Sequence, residues 1–440
     1  MKRRYTIMAA VILAFSLLAA ACSSSDSGDA ETTTTAAETT ETTTAPATTQ
    51  APTTTAAPAT TEAPADLPPL VVWADEKRAP VIESIAPAFT EATGVEVQVT
   101  LVDFGTMKDE VSTKGPAGEG PDVFIGAHDW VGELATNGSI SPIDLGGREG
   151  EFTETGLNAL KWDGAQYGLP YVTEAVAIYY NTDLVPEAPA TMAELTAACD
   201  AIEVDNCLGV PGGNDGGDAY HHQPFLTVDG GYIFGYDPGT GFDVEDIGLG
   251  TDEAIAGASL LETLVTDGYI ASTNYDDAKN LFMEGNEAFW LTGPWELGSL
   301  EDQDTVNWGV MTLPTVDGNV MRPFVGVQGF YLSAFAQNAA IAEEFLLNFI
   351  ATDETMLALF EADPRGSAHI ATIKTISSDP INATFAISGQ TGQFMPNVPE
   401  MGAVWGPVGD NFLALRNGDI DAETAMTNAS EQVTTVIAEG

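Results

Sequence analysis

The chain has 440 residues, with 65 acidic side chains against 14 basic ones and a formal net charge of −51. A nucleic-acid partner needs clustered Lys and Arg, so that class is excluded, while the acidity itself describes a solvation strategy, as in salt-adapted secreted proteins, and names no function. With 44% hydrophobic residues the chain can bury a sizeable core, and the stretch after residue 69 is long for one core, which predicts two lobes.

The N-terminus sets the compartment. Lys2, Arg3 and Arg4 form a positive segment, Ile7 to Ala21 an apolar stretch too short for a comfortable membrane span, and Cys22 follows a run of small residues. Residues 1–21 with Cys22 resemble a bacterial lipoprotein signal, in which the cysteine becomes the first mature residue and carries the lipid. Ser23, Ser24 and Ser25 fit that pattern, whereas Ala19 stands three before the cysteine, where leucine is usual. The other reading is a plain secretory signal with an incidental cysteine. Without the first three cations the mature charge is about −54.

A Thr/Ala/Pro-rich linker occupies 22–68. Residues 23–66 hold no apolar side chain larger than alanine. Such a segment cannot bury enough surface to offset its ordering entropy, so disorder is expected. As a coil it spans roughly 35 Å, more where its prolines stiffen it. Thr-Pro-rich stalks are sometimes O-glycosylated, and the sequence leaves that open. No later run is apolar enough to span a membrane, so lipid on Cys22 is the one anchor expected, at the outer face of the cytoplasmic membrane.

The first expected strand is Leu70-Val71-Val72-Trp73. Val81, Ile85 and Phe89 then recur on one helix face, with Pro87 a candidate disturbance and Gly94 the stop. Val95, Val97, Val99 and Leu101 alternate as a strand does. Strand, helix, strand is a βαβ unit and implies a parallel pair. A helix near 105–113 and a strand at Asp122–Ile125 follow. Ligands in open α/β sheets sit beyond the carboxyl ends of strands, and Asp75, Glu76, His128, Asp129 and Trp130 all fall there. Further on, Val176–Tyr180 and Phe289–Leu291 read as strands, and 190–202, 252–267, 339–351 and 419–438 as helices. Cys199 and Cys207, eight apart in an exported protein, are expected to pair and pin a helix end to the next strand.

Several segments, in order and spacing, resemble the maltose/maltodextrin-binding proteins that capture sugars for ABC importers. They are GPDVFIGAHDWVGELATNGSI, YGLPYVTEAVAIYYNTDLV, LTVDGGYIFGYDPGTGFDVEDIGL, FWLTGPW, RPFVGVQGFYLSAFAQN and GQFMPNVPEMGAVW, and the resemblance spans 69–440. It implies an α/β, two-lobe periplasmic-binding-protein fold of type II, with a hinge crossed several times and a ligand cleft between lobes. Lobe 1 is expected at 69–174 and 327–376, lobe 2 at 175–326 and 377–440. It also implies an oligosaccharide ligand, membrane permease subunits as partners, a monomer, no cofactor and no catalysis.

A sugar presents a hydroxyl rim, which suits carboxylates, and C–H faces, which suit aromatic rings. The resemblance places Asp129, Glu174, Asp218, Tyr220, Trp295 and Trp405 at the family's binding positions, with Glu76 and Lys77 at a loosely aligned acid–lysine pair. Gly126 stands where a stacking tryptophan is usual and Trp130 where an arginine is, so Trp130 is included as a replacement ring. Gly406 follows Trp405 where an aromatic is common. These departures leave sugar length and linkage open, with trehalose or another oligosaccharide as alternatives. Trp73, Trp162, Trp290 and Trp308 lie in or beside apolar strand runs and read as core. On spacing alone Trp295 and Trp405 fit either core or cleft.

His221 and His222 are adjacent and diverge on either a strand or a helix, which makes a poor chelating pair. With no CxxC or HExxH and no EF-hand spacing, no metal is expected. The rival class is a glycoside hydrolase, which needs facing carboxylates but here has no recognisable catalytic signature.

Overall fold

A computed structural model describes residues 67–439 apart from 205, 215, 238, 239 and 272. The expected signal, Cys22 and all but the last two residues of the linker lie outside the described residues. Among the described residues no helix is long and apolar enough to cross a membrane.

The first lobe is built on a mixed sheet. Strand Leu70–Ala74 pairs in parallel with Val97–Leu101 on one side (Leu70 opposite Val97) and with Val123–Ala127 on the other (Val72 opposite Val123). Phe324–Ser333 runs antiparallel to Val123–Ala127 and to Gly168–Glu174, and Gln393–Phe394 adds in parallel at its start. All ten residues of Phe324–Ser333 are buried, as the central strand of such a sheet requires. The edge strand Val97–Leu101 behaves differently. Val97 and Val99 are half-buried and Leu101 is 65% exposed, so its alternation reflects one covered face and one wet face.

The expected helix after the first strand spans Ala79–Thr93, ends on Gly94 in the left-handed region (φ 76°), and carries Pro87 without breaking. Phe89 is buried edge-on against Phe345 and Phe349, both 5.0 Å away. Those two rings come from the expected 339–351 helix, which is α-helical over Ala339–Phe345 and widens into a π-turn over Leu346–Ile350.

The second lobe holds a four-stranded sheet in the order Trp308–Met311, Ala177–Asn181, Glu287–Thr292, Asn206–Gly209. Ala177–Asn181 is antiparallel to both neighbours, and Glu287–Thr292 is parallel to Asn206–Gly209. Helix Met192–Asp200 begins with a Thr191/Glu194 capping box, and the disulfide Cys199–Cys207 fastens its end to strand Asn206–Gly209. Helices Asp252–Thr266 and Ala422–Glu439 complete the expected set. Helices Ala219–Thr227, Tyr275–Met283, Pro380–Thr391 and Trp405–Arg416 gave no clear periodicity in advance. Three carry a proline within or at the start, Pro224, Pro380 and Pro407, and much of their buried surface is polar or small.

The chain leaves the first sheet at Glu174 and enters the second at Ala177. It returns along Phe324–Ser333, whose Phe324 packs in the second lobe's core while Val327 and Phe330 pack in the first's. After Gln393–Phe394 it crosses again, and Met395, Val398 and Met401 join the second core. Trp73 and Trp290 are core rings. Trp162 and Trp308 are only half-buried. Trp308 donates its indole N–H to the Leu300 carbonyl (3.1 Å), and Trp162 packs against hydrophobic clusters of both lobes.

Candidate functional site

On the first-lobe side, strand Val123–Ala127 ends in a 3-10 turn over His128–Trp130. His128 is fully buried. Its Nδ1 accepts from the Val327 amide (3.0 Å) and its Nε2 donates to the Met395 carbonyl (3.1 Å). Burial pushes its pKa down to about 4, which keeps the ring in the neutral form this donor–acceptor pairing requires. The next residue, Asp129, is thereby held half-buried just beyond the strand end. Protein packed around it pushes its carboxyl up to about 6, against the pull of Lys108 and of the Trp405 indole nearby.

Trp130 lies over Gly126. A β-carbon built on Gly126 would stand 2.7 Å from Cε3 of the Trp130 ring and 2.7 Å from Tyr331, so glycine is what admits the indole. The ring is half-buried and tilts against Phe104, with centroids 5.2 Å apart. The space above Gly126 is therefore filled by an aromatic ring arriving from four residues downstream.

Behind these residues runs a buried charge network. Arg78 pairs with Asp75 (3.1 Å) and Asp363 (2.9 Å), and Arg365 pairs with Asp363 (2.6 Å) and Glu174 (3.1 Å). Gln328 accepts from Arg78 (3.0 Å) and Tyr171 (2.7 Å) and donates to Glu174 (3.1 Å). The surrounding carboxylates hold the Arg365 guanidinium above its ordinary pKa, although burial alone would lower it. The sequence reading found Glu174 but missed Arg78, Asp363, Arg365 and Gln328. Arg78 stands at a strand end, next to the residues that were noticed. The other three have no local signature, because only the fold brings them to Glu174.

The second-lobe side is aromatic. Tyr220 lies 5.9 Å from Trp295 and 5.8 Å from Phe324, and Phe324 lies 5.9 Å from Trp405. The Tyr220 hydroxyl is buried without a hydrogen-bond partner, and would sit 3.1 Å from a β-carbon built on Gly326, on the strand beside Glu174. Trp295 is fixed by a relay. Its Nε1–H donates to Tyr275 Oη (2.6 Å), Tyr275 donates to Glu296 (2.7 Å), and Lys279 pairs with Glu296 (2.7 Å). Here too glycine makes the room, since a β-carbon on Gly293 would come within 2.0 Å of the Trp295 ring. The Arg365 guanidinium lies 5.7 Å from that ring's centroid, a cation–π contact between the charge network and the aromatic shelf.

Thus Asp129, Glu174, Tyr220, Trp295 and Trp405 converge, and Trp130 stands beside Asp129. Three other residues do not join them in the same way. Glu76 and Lys77 are exposed on the turn after the first strand, where the buried pair is instead Asp75 and Arg78. Asp218 caps helix Ala219–Thr227. Its Oδ1 accepts from the His221 amide (2.9 Å) and its Oδ2 faces His221 Nδ1 (2.6 Å). Burial works to raise the Asp218 pKa, but His221 outweighs it and holds the carboxyl at about 2. Asp218 therefore positions Tyr220, two residues on. His222 is stacked on Phe412 at 5.0 Å, apart from His221, and among the described residues no group of three His, Cys, Asp or Glu side chains is placed to hold a metal ion. A separate groove of about 840 Å³ between helix Glu154–Ala159 and helix Pro380–Thr391 reaches this cluster only at Glu174.

Comparison with known proteins bears on the arrangement. The model of the family "Bacterial extracellular solute-binding protein" matches residues 84–384. The galactooligosaccharide-binding protein of Bacillus subtilis is 27% identical over 377 residues, covering 82% of this chain and 88% of its own. The maltotriose-binding protein of Pyrococcus abyssi is 30% identical over 355 residues, covering 77% and 75%. A maltooligosaccharide ABC transporter solute-binding lipoprotein of Streptococcus pneumoniae is 29% identical, covering 82% and 86%. In three dimensions a cyclo/maltodextrin-binding protein complexed with maltotetraose superposes with a TM-score of 0.74 at 28% identity, covering 86% of this chain and 99% of the other.

Proposed function

This chain belongs to the bacterial extracellular solute-binding proteins, and we propose that it captures maltose/maltodextrin-type α-glucosides and delivers them to the permease of an ABC importer. One observation carries the ligand class. Carboxylates from the first lobe, Asp129 and Glu174, face rings from the second, Tyr220, Trp295 and Trp405, and the Tyr220 hydroxyl there is buried with no protein partner. Sugar hydroxyls satisfy the carboxylates and Tyr220, and the C–H faces of the sugar lie on the indoles. Because the ligand touches both walls, it stabilises the closed form relative to the open one. We assign 69–174 with 327–376 to one lobe and 175–326 with 377–440 to the other, and we take the protein to act as a monomer tethered by lipid on Cys22. The site binds without cleaving.

A second reading, favoured by the Bacillus subtilis relative, is a galactose-containing oligosaccharide; trehalose is a third candidate. Titration calorimetry with maltose, maltotriose, a longer maltodextrin, trehalose and a galactooligosaccharide, at low and high salt, separates them. The expected outcome is micromolar or tighter binding to an α-glucan. Preference for the galactoside replaces the ligand but keeps the site. No heat across the panel from a folded protein overturns the sugar assignment, and release of reducing ends from maltodextrin overturns the non-enzymatic reading.

A further inference from the structure

Away from the cleft, the second lobe buries a cation without a counter-ion. Arg416, the last residue of helix Trp405–Arg416, is 2% exposed. Its Nη2 donates to the carbonyls of Ala271 (2.8 Å) and Thr273 (3.3 Å), but its Nε and Nη1 meet no acceptor, and the nearby Thr273 hydroxyl is likewise buried and unpartnered. Among the described residues no carboxylate lies within ion-pair distance of it. Asp218, which acts on it through space, has turned both oxygens to His221.

In a chain with 65 acidic residues this is anomalous. Arg78, Arg148 and Arg365 each found a carboxylate. A buried guanidinium with two idle donors carries a desolvation cost that two carbonyls and the C-terminal end of a helix only partly offset. The backbone approaches closely on one side: a β-carbon built on Gly212 would meet Arg416 Nη1 at 3.1 Å and the Thr273 carbonyl at 3.2 Å, so glycine is what lets the loop lie against the guanidinium.

We propose that the Arg416 guanidinium, with the Thr273 hydroxyl beside it, holds a small monovalent anion of the halide class, which supplies the missing charge. Nε–H and Nη1–H point to opposite sides of the guanidinium, so the anion takes one and a water the other. His222 stacks on Phe412, one helical turn before Arg416, and burial and Arg416 lower its pKa to about 3, so Arg416 is the charged group of the two.

The first test is anomalous diffraction from crystals soaked in bromide. A peak within hydrogen-bond distance of Arg416 Nε or Nη1 is expected, and its absence, or a water there instead, overturns the proposal. The second is thermal unfolding of the whole chain in sodium chloride, bromide, fluoride and gluconate at equal ionic strength. The melting temperature should rise by about 2 °C more in chloride or bromide than in gluconate. Arg416→Gln should abolish that difference. Equal curves in the wild type, or a difference that persists in the variant, would overturn it. Should Arg416→Gln fail to fold, Thr273→Val is expected to halve the anion-specific shift or more, and an unchanged shift would count against the site.

Discussion

The two walls of the cleft solve one problem by different physics. The first-lobe wall is charged and locked from behind, with Asp75, Arg78, Asp363, Arg365 and Glu174 forming one continuous buried chain of ion pairs. The second-lobe wall is aromatic and locked from below, with Trp295 held through Tyr275 and Glu296. Both walls use a glycine to seat an indole, Gly126 under Trp130 and Gly293 under Trp295. Charged groups near a ligand must be fixed before it arrives, because reorganising them costs binding energy. Rings need only a platform and one tether.

The largest expected effect comes from breaking the charged wall. Arg78→Met removes the cation shared by Asp75 and Asp363 and should destabilise the protein by about 3–5 kcal/mol, measured by urea unfolding. A loss below about 1 kcal/mol would mean that the network is not preset. Next are the glycine platforms. Neither glycine has a positive φ, so the nearest obstacles to alanine are rings, Trp130 and Tyr331 at position 126 and Trp295 at position 293. Gly293→Ala and Gly126→Ala should each cost about 1–3 kcal/mol of stability through overpacking, the former more because its β-carbon would come closer to the ring. Equal and negligible costs would remove the parallel between the walls. Trp295→Ala and Trp405→Ala should each weaken sugar binding by more than about 1 kcal/mol by calorimetry. Unchanged affinity in both would move the site elsewhere.

The smallest effect separates the walls by sign. The Asp129 carboxyl, raised to about 6, favours the folded state while protonated, so its contribution is lost as pH rises from about 4 through 6. Asp218, held at about 2, contributes stability above the ordinary carboxylate range that is lost as pH falls through about 2. Asp129→Asn should therefore flatten the stability profile between pH 4 and 7, and Asp218→Asn only below pH 4. Identical profiles would show that the two carboxylates share one environment after all.

The candidates Asp129 and Trp295 came from the resemblance: on spacing alone Trp295, after a Gly-Pro break at a strand end, fits either core or cleft, and a single aspartate in so acidic a chain reads as solvated surface. Asp218, expected at a binding position, turns both carboxylate oxygens to His221 at the start of its own helix. Glu76 and Lys77 were placed one residue away from the pair that the fold buries.

By itself the sequence determined the first lobe's opening strand–helix–strand unit, the strands at Val176–Tyr180 and Phe289–Leu291, several of the helices and the Cys199–Cys207 clasp, while the acidic and aromatic candidates came from the family resemblance. Hydrophobic period, turn residues and short-range motifs act within a few residues, so they can be read along the chain. The tertiary structure alone decided that Arg365 would bridge Glu174 and Trp295, that Trp130 would settle over Gly126, and that Arg416 would be buried beyond ion-pair distance of any carboxylate among the described residues. Arg365 and Glu174 are 191 positions apart, and a cation's choice of partner depends on which strands the sheet makes neighbours. No periodicity in the sequence encodes that.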